Sequence, residues 1–339
     1  MSALYRIFGL ELSPYSVKVR SYFRYKGIPH EWIVRHLGNM EEFRKHAKLP
    51  LIPLVLAPDG SALQDSTPIL EALEARFPEP SIHPPEPHSA FVSALLEEYA
   101  DEWGNKPMFH YRWWYEADQA SAAERIARWT ILGNAEGSAA GAPEDAVHNG
   151  AASIRERMVP RLSFVGSNAA TKPVIEASFE RLAAHVERHL DGRSYLFGAR
   201  PAFADFGVWA QLYELWSDPT PGAHLRARAP RTVAWIERML DPKADGPFEP
   251  WSALAPTLEP ILRDEVGDVF LPWSAANATA LAAGEASFTV QLGGRAFTQD
   301  VQKYHARSLR ALRERYRAVA DKSALDPILE RAGCRQWLA

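Results

Sequence analysis

Pro78, Pro80, Pro84, Pro85 and Pro87 crowd the eleven residues from 78 to 88. No regular element runs through such a stretch, because each ring removes a backbone donor and pushes the preceding residue out of the helical region. The segment reads as a stiff connection, and the sequence on its two sides follows different periodicities. We therefore expect one domain over 1–77, a linker over 78–88 and a second domain over 89–240, with 241–339 left as an extension of unassigned role. At 339 residues the chain is long enough for two sizeable cores.

Before the linker, strand and helix signals alternate. Leu4-Tyr5-Arg6-Ile7-Phe8 is a short β-rich run that stops at Gly9. Ser13 is a good N-cap and Pro14 suits the first helical position, while Tyr15, Val19 and Phe23 recur every four residues up to Gly27, a natural stop. Glu31-Trp32-Ile33-Val34, Leu54-Val55-Leu56 and Ala62-Leu63-Gln64 read as three further strands, the last after the turn Pro58-Asp59-Gly60. Ser66-Thr67-Pro68 then opens a helix marked by Ile69, Leu73 and Phe77.

After the linker, helical spacing dominates. Phe91, Leu95, Tyr99 and Trp103 form one stripe, and 107–116, 122–133, 173–190, 202–216 and 230–240 read as helices. The Gly/Ala-rich stretch 135–150 has few large apolar residues to bury and reads as an exposed loop. Beyond 241, Pro247, Pro250, Pro256 and Pro260 space an irregular segment before helical sequence resumes over 258–283. A hairpin follows, 287–292 and 295–298 around Gly293-Gly294. The helix expected over 300–320 carries Arg307, Arg310, Arg313, Arg315 and Arg317, which read mainly as a solvated face with salt bridges.

Composition excludes several functions. With 38 basic against 42 acidic residues and no long run of either sign, there is no electrostatic footprint for nucleic acid or anionic lipid. No stretch reaches the roughly 18 apolar residues of a membrane helix, and the N-terminus does not read as a secretory signal, so a cytoplasmic location is expected. A single cysteine, Cys334, excludes internal disulfides, cysteine zinc sites and dithiol redox chemistry. His185 and His189 have a metal-binding spacing on a helix, but no third ligand is evident and no metal is expected.

Four spaced motifs resemble the glutathione transferase superfamily over residues 4 to about 216. Ser13-Pro14-Tyr15-Ser16 is similar to the glutaredoxin-type Cys-Pro-Tyr-Cys, with hydroxyls at both sulfur positions. Leu51-Ile52-Pro53-Leu54-Val55 resembles the family's Val-Pro segment, whose proline is cis, and Gln64-Asp65-Ser66-Thr67-Pro68-Ile69-Leu70 its Glu-Ser-x-x-Ile motif. Tyr195 to Phe206 resembles the turn into its buried central helix. The resemblance implies a thioredoxin-like, glutathione-binding N-terminal domain (α/β), an all-helical second domain on the electrophile side, and an added extension containing the hairpin. It also implies a homodimer that binds glutathione as cosubstrate and holds no resident cofactor.

The resemblance assigns roles that the chemistry of these residues supports. A thiol of pKa about 8.5 is only a few per cent thiolate at neutral pH, and each unit of lowering requires about 1.4 kcal/mol of differential stabilisation. The positive end of the first helix and a hydroxyl donor at its cap supply such stabilisation. Ser13 is the first candidate for that donor, with Ser16 and Tyr5 as alternates. The backbone of Ile52, before Pro53, would pair with the cysteinyl part of glutathione, and Asp65 and Ser66 would take its γ-glutamyl end. Leu51 stands where the family often has a lysine, so the glycine carboxylate needs Lys48, Arg35 or His36. Ala202 replaces the hydroxyl that usually caps the central helix three residues before Asp205. Tyr15, Phe109, Tyr111, Trp113 and Trp114 are the expected wall of an apolar or aromatic electrophile pocket. A transferase is the first reading. Glutathione-dependent ether cleavage or dehalogenation, and a non-catalytic binding or assembly protein, remain alternatives.

Overall fold

Alternation along one strand decides how the N-terminal domain is built. In the computed structural model, which describes residues 4–133 and 143–339, the chain runs β1 (Tyr5–Gly9), α1 (Pro14–Tyr25), β2 (His30–Val34), α2 (Met40–His46), β3 (Leu54–Leu56), β4 (Ala62–Gln64) and α3 (Ser66–Arg76). β1 is parallel to β2 and antiparallel to β3, which pairs antiparallel with β4, so the spatial order is β2-β1-β3-β4. Successive side chains point to opposite faces. Tyr5, Ile7 and Val55 accordingly join the core shared with α1 and α3, whereas Phe8, Leu54 and Leu56 close against Phe43 of α2. This is the expected thioredoxin-like arrangement.

The helical domain comprises α4 (Pro87–Tyr99), a π-helical stretch Ala100–Gly104, α5 (Asn105–Trp114), α6 (Glu116–Leu132), α7 (Glu144–Met158), α8 (Lys172–His189), α9 (Phe203–Ser217), α10 (Pro219–Arg228) and α11 (Pro230–Arg238). α9 is apolar nearly all round and lies at the centre. Its Gly207 admits a very close approach, since a Cβ there would meet Cα and Cγ of Glu97 on α4 at 3.0 Å. The missing cap at Ala202 is half replaced. The Asp205 carboxylate accepts from the N–H groups of Ala202 and Leu196 at 2.8 Å and from the Trp235 indole at 3.0 Å.

The expected loop over 135–150 is corrected in its second half, because α7 starts at Glu144; residues 134–142 lie outside those described. Small residues there serve helix contact. A Cβ on Gly150 would meet that of Ala127 on α6 at 3.2 Å, and Val147 and Ile154, two turns apart, are buried.

The extension is folded throughout, as α12 (Trp251–Ile261), a π-helical stretch Leu262–Phe270, α13 (Leu271–Ala283), the hairpin β5 (Ser287–Leu292) and β6 (Arg295–Asp300), α14 (His305–Ala318), α15 (Leu325–Arg331) and α16 (Arg335–Leu338). Helix therefore begins earlier than 258, at Trp251, with Pro256 and Pro260 inside it. The hairpin keeps residue 300, and the basic helix starts only at His305.

The two histidines of the metal-like spacing turn to separate partners. His185 Nε2 meets Asp264 at 2.8 Å. His189 donates from Nε2 to the Leu196 carbonyl at 2.8 Å, so its Nδ1 accepts the Thr257 hydroxyl at 2.7 Å, tying α8 to α12. Burial pushes this imidazole down to about 4, against the opposing effect of the Leu196 carbonyl. The unfolded chain protonates near 6.5 while the folded one stays neutral, so stability is full above that pH and falls as pH drops from 6.5 towards 4. The loss reaches about 3 kcal/mol at most. Urea unfolding between pH 7 and pH 4.5 should show a shallower decline for His189→Gln than for wild type; parallel declines would refute this.

Candidate functional site

Ser13 ends the loop after β1 and caps α1. Its Oγ accepts from the Ser16 hydroxyl at 3.0 Å and lies 3.4 Å from the Ser16 N–H, with Pro14 in the first turn. Ser16 is fully buried and Ser13 half-buried. From the other side, Arg112 of α5 donates to the Leu12 carbonyl at 3.1 Å, while Glu214 and Asp218, each at 2.7 Å, hold its guanidinium. The loop that presents Ser13 is thus fastened to the helical domain.

The loop before β3 is fastened by Gln64. Its side-chain oxygen accepts from the N–H groups of Lys48 and Leu49, and its amide nitrogen donates to the carbonyls of Leu49 and Leu51 at 2.7 Å. The Ile52–Pro53 peptide is cis. Asp65, the next residue after Gln64, has φ +78°, a conformation that costs a non-glycine residue of order 1–3 kcal/mol and tends to mark functional positions.

These segments meet at a cavity of about 680 Å³. Of the residues expected at the site, Ile52, Pro53, Asp65, Ser66 and Tyr15 line it, as does Lys48. Ser13, Ser16 and Tyr5 are not among its lining residues. Tyr5 lies on the α1/α3 face of the sheet with Phe23 and Phe77, at centroid separations of 5.5 and 6.3 Å. Arg35 donates to the Pro50 carbonyl and His36 accepts from the Gly38 N–H.

The aromatic run of α5 is turned elsewhere. Tyr111 packs on Phe179, Trp113 and Phe109 on each other, and Trp114 on His110. Only the first turn of α5, Asn105 and Lys106, faces the cavity. Tyr15 is a wall and a brace: its hydroxyl donates to the Asp101 carbonyl at 2.9 Å and accepts from Asn105 at 3.0 Å. Burial and the nearby Asp101 charge hold that phenol well above its ordinary pKa.

A buried ion cluster absent from the sequence reading lies behind the α3 end of the site. The Lys18 ammonium, with 0% side-chain exposure, pairs with Glu97 and, at 2.6 Å, with Asp101, and reaches the hydroxyls of Ser66 and Thr67 at 3.3 and 3.2 Å. Burial works against this charge, yet the two carboxylates outweigh it and hold Lys18 above its ordinary value. The extension closes the cavity's remaining side with Trp273, Gln302, His305 and Arg307. Tyr304 donates to Asp65, and Arg315 pairs with Glu71. His305 bridges Glu102 at 2.7 Å and Ser274 at 2.8 Å.

Removing the Lys18 charge strands two buried carboxylates, which typically costs about 3–5 kcal/mol. Lys18→Met should therefore lose stability of that order in urea titration, and the triple variant Lys18→Met, Glu97→Gln, Asp101→Asn should recover much of it. A stability of Lys18→Met within about 1 kcal/mol of wild type would contradict the cluster's assigned weight.

Comparison with known proteins bears on these features. The family model for the glutathione S-transferase N-terminal domain matches residues 7–81, and that for the C-terminal domain matches 144–238, together half of the chain. A probable glutathione S-transferase from Solanum tuberosum is 29% identical over 104 residues, covering 29% of this chain and 46% of that protein, so this chain spans about half the length of the curated relative it matches. Among solved structures, a glutathione S-transferase from Methylobacterium radiotolerans in complex with glutathione sulfonate is similar at 20% identity and a TM-score of 0.40, over 75% of this chain and 94% of that one. The β-etherase LigF from Sphingobium sp. strain SYK-6 is similar at 19% identity and a TM-score of 0.47, over 75% and 98%. In the described residues no helix is long and apolar enough to cross a membrane. With the domain order, the mixed four-stranded sheet and the buried central helix, both domain matches lead to one conclusion: the chain belongs to the glutathione S-transferase superfamily.

Proposed function

We propose that the protein is a cytoplasmic glutathione transferase, in which Ser13 favours the thiolate of glutathione and that thiolate attacks an apolar or aromatic electrophile in the cavity. The observation that supports this reading is the meeting of Ile52–Pro53, Asp65–Ser66 and Tyr15, distant in sequence, on one cavity, with Ser13 outside its lining and two residues before Tyr15. An extended tripeptide fits these groups. The Ile52 N–H and C=O pair with its cysteinyl unit, Asp65 accepts from its ammonium, and Ser66 with the N-terminal amides of α3 receives its α-carboxylate. Lys48 takes the glycine carboxylate that Leu51 cannot.

The Ser13 oxygen already accepts a hydrogen bond from the Ser16 hydroxyl, which leaves its own proton free to donate to sulfur. That donation, added to the positive end of α1, lowers the thiol pKa. The thiol proton leaves to solvent, the sulfur lone pair forms the C–S bond, and the displaced group departs with its bonding electrons. Ether cleavage and dehalogenation share this first step. Tyr15 is the poorer donor, because its proton is committed to the Asp101 carbonyl. The proposed enzyme is a homodimer, a state that sedimentation equilibrium reads directly.

One observation favours a non-catalytic binding role instead. Tyr304 of the extension occupies Asp65, the acceptor assigned to the glutathione ammonium. Calorimetric titration with glutathione, together with turnover of a generic aromatic electrophile, separates the two. Wild type and Ser13→Ala should both bind, with turnover in the variant slower by at least about tenfold. Absence of binding to wild type at millimolar glutathione defeats the transferase reading, and unchanged turnover in Ser13→Ala moves the donor to Ser16. Tyr304→Phe, which frees Asp65, should bind glutathione more tightly than wild type; weaker binding would make Tyr304 part of the glutathione site.

A further inference from the structure

The cavity contains a cation for which the binding of glutathione has no use. Lys106, in the first turn of α5, is 2% exposed and lines the cavity. Its ammonium donates to Gln299 Oε1 at 3.1 Å and to the Val165 carbonyl at 3.5 Å, and lies 3.9 Å from the Trp273 ring centre. All three partners are neutral. Lys18 and Arg112, buried to a similar degree, each hold two carboxylates. Among the described residues Lys106 holds none: Glu102, the nearest acid in the chain, is engaged by His305. Burial accordingly pushes the Lys106 amine down to about 7, against the attraction of Glu102.

A buried cation without a counter-ion is costly, typically by several kcal/mol. Here it stands where a ligand can supply the missing charge. The surrounding wall includes Trp273, Phe164 and Val165. One ammonium suits a monoanion, since Glu102 also lines the cavity and opposes a dianion such as phosphate. We propose that the part of the cavity between α5 and the extension binds an aromatic carboxylate, with Lys106 as the cation that receives the carboxylate. The extension makes this site, because Trp273 and Gln299, two of the three neutral partners of Lys106, belong to it. Where the transferase reading holds, on which this last step rests, the electrophile is an aromatic acid.

The test is calorimetry without glutathione, using 2-naphthoate and its neutral analogue 2-naphthylmethanol. At pH 8 in two buffers of different ionisation enthalpy, wild type should bind naphthoate at least about tenfold more tightly than the alcohol. It should also take up close to one proton per naphthoate, because the anion restores the charge of an amine mostly neutral at that pH. The other titratable or charged groups lining the cavity are Tyr15, Lys48, Asp65, Glu98, Asp101, Glu102, Tyr304, His305 and Arg307. Lys106→Met, which keeps the length of the stem, should lose both the preference and the proton uptake. Equal affinities in wild type, no buffer-dependent heat, or a preference retained in Lys106→Met would each overturn the proposal. Wild type alone decides the first two, whatever the folding of the variant. Glutathione titrated into the same sample separates the readings: naphthoate failing while glutathione binds defeats this proposal alone, and the reverse defeats the transferase reading alone.

Discussion

An ammonium sealed from water dictates much of this structure. Lys18 of α1 must have its charge answered, and the answers come from α4 (Glu97), the π-helical stretch (Asp101) and the first turn of α3 (Ser66, Thr67). The start of α3 and two parts of one continuous helical run, α4 and the π-helical stretch after it, are therefore held at hydrogen-bond distance of one atom on α1. The start of α3, which carries Asp65 and Ser66, and the carbonyl of Asp101, which anchors Tyr15, are positioned by the same cluster. Gly207 serves it too, by letting the central helix press against the backbone that carries Glu97. Charged groups at such depth contribute less to net stability than to the exclusion of other arrangements, since any shift leaves a charge alone. Arg112 performs a parallel service near Leu12 and Ser13.

Elements with a strong local signal were legible in the sequence. The β-rich run at β1, the Ser13-Pro14 start and the Ser66-Thr67-Pro68 start all led to real elements, because local rules and the tertiary fold agree there. What escaped was set by distance or by ambiguity. The partners of Lys18 are 79 and 83 residues away, beyond any motif spacing. The aromatic run of α5 looked like a ligand wall because large rings line cavities and cores alike; its periodicity does not tell which face opens on space. The Gly/Ala-rich stretch misled for the opposite reason. Small side chains at a close helix contact have the composition of a loop, and only the neighbouring Ala127 reveals the difference. Lys106 carries no sequence signal at all, since its burial and its neutral partners come from β6, α13 and the residues after α7.

The extension is the part that sequence periodicity left without a role, and its contacts supply one. It is bound into the helical domain through His189 and Thr257, and through Tyr99 and Ser178, which both meet the buried Glu265. Internally, a Cβ on Gly267 would come within 1.9 Å of the Ala332 carbonyl oxygen, so the last helices lie directly on the π-helical stretch. Two arginines of α14 take part in such tethering, Arg313 on the Trp337 carbonyl and Arg315 on Glu71 of the first domain. The last hundred residues thus act as a third layer over a two-domain cleft.

The lining of the cavity runs from Tyr15 to Ala311, so it samples nearly the whole length of the polypeptide. Such a pocket has no early, partial form. The Lys18 ammonium of the first domain finds its carboxylates only on α4 and the π-helical stretch that follows it, and the enclosed space arises only when α14 docks. Occupancy and docking of that last layer are then linked equilibria: whatever fills the space stabilises the closed third layer, and whatever loosens that layer weakens the ligand's hold by the same free energy.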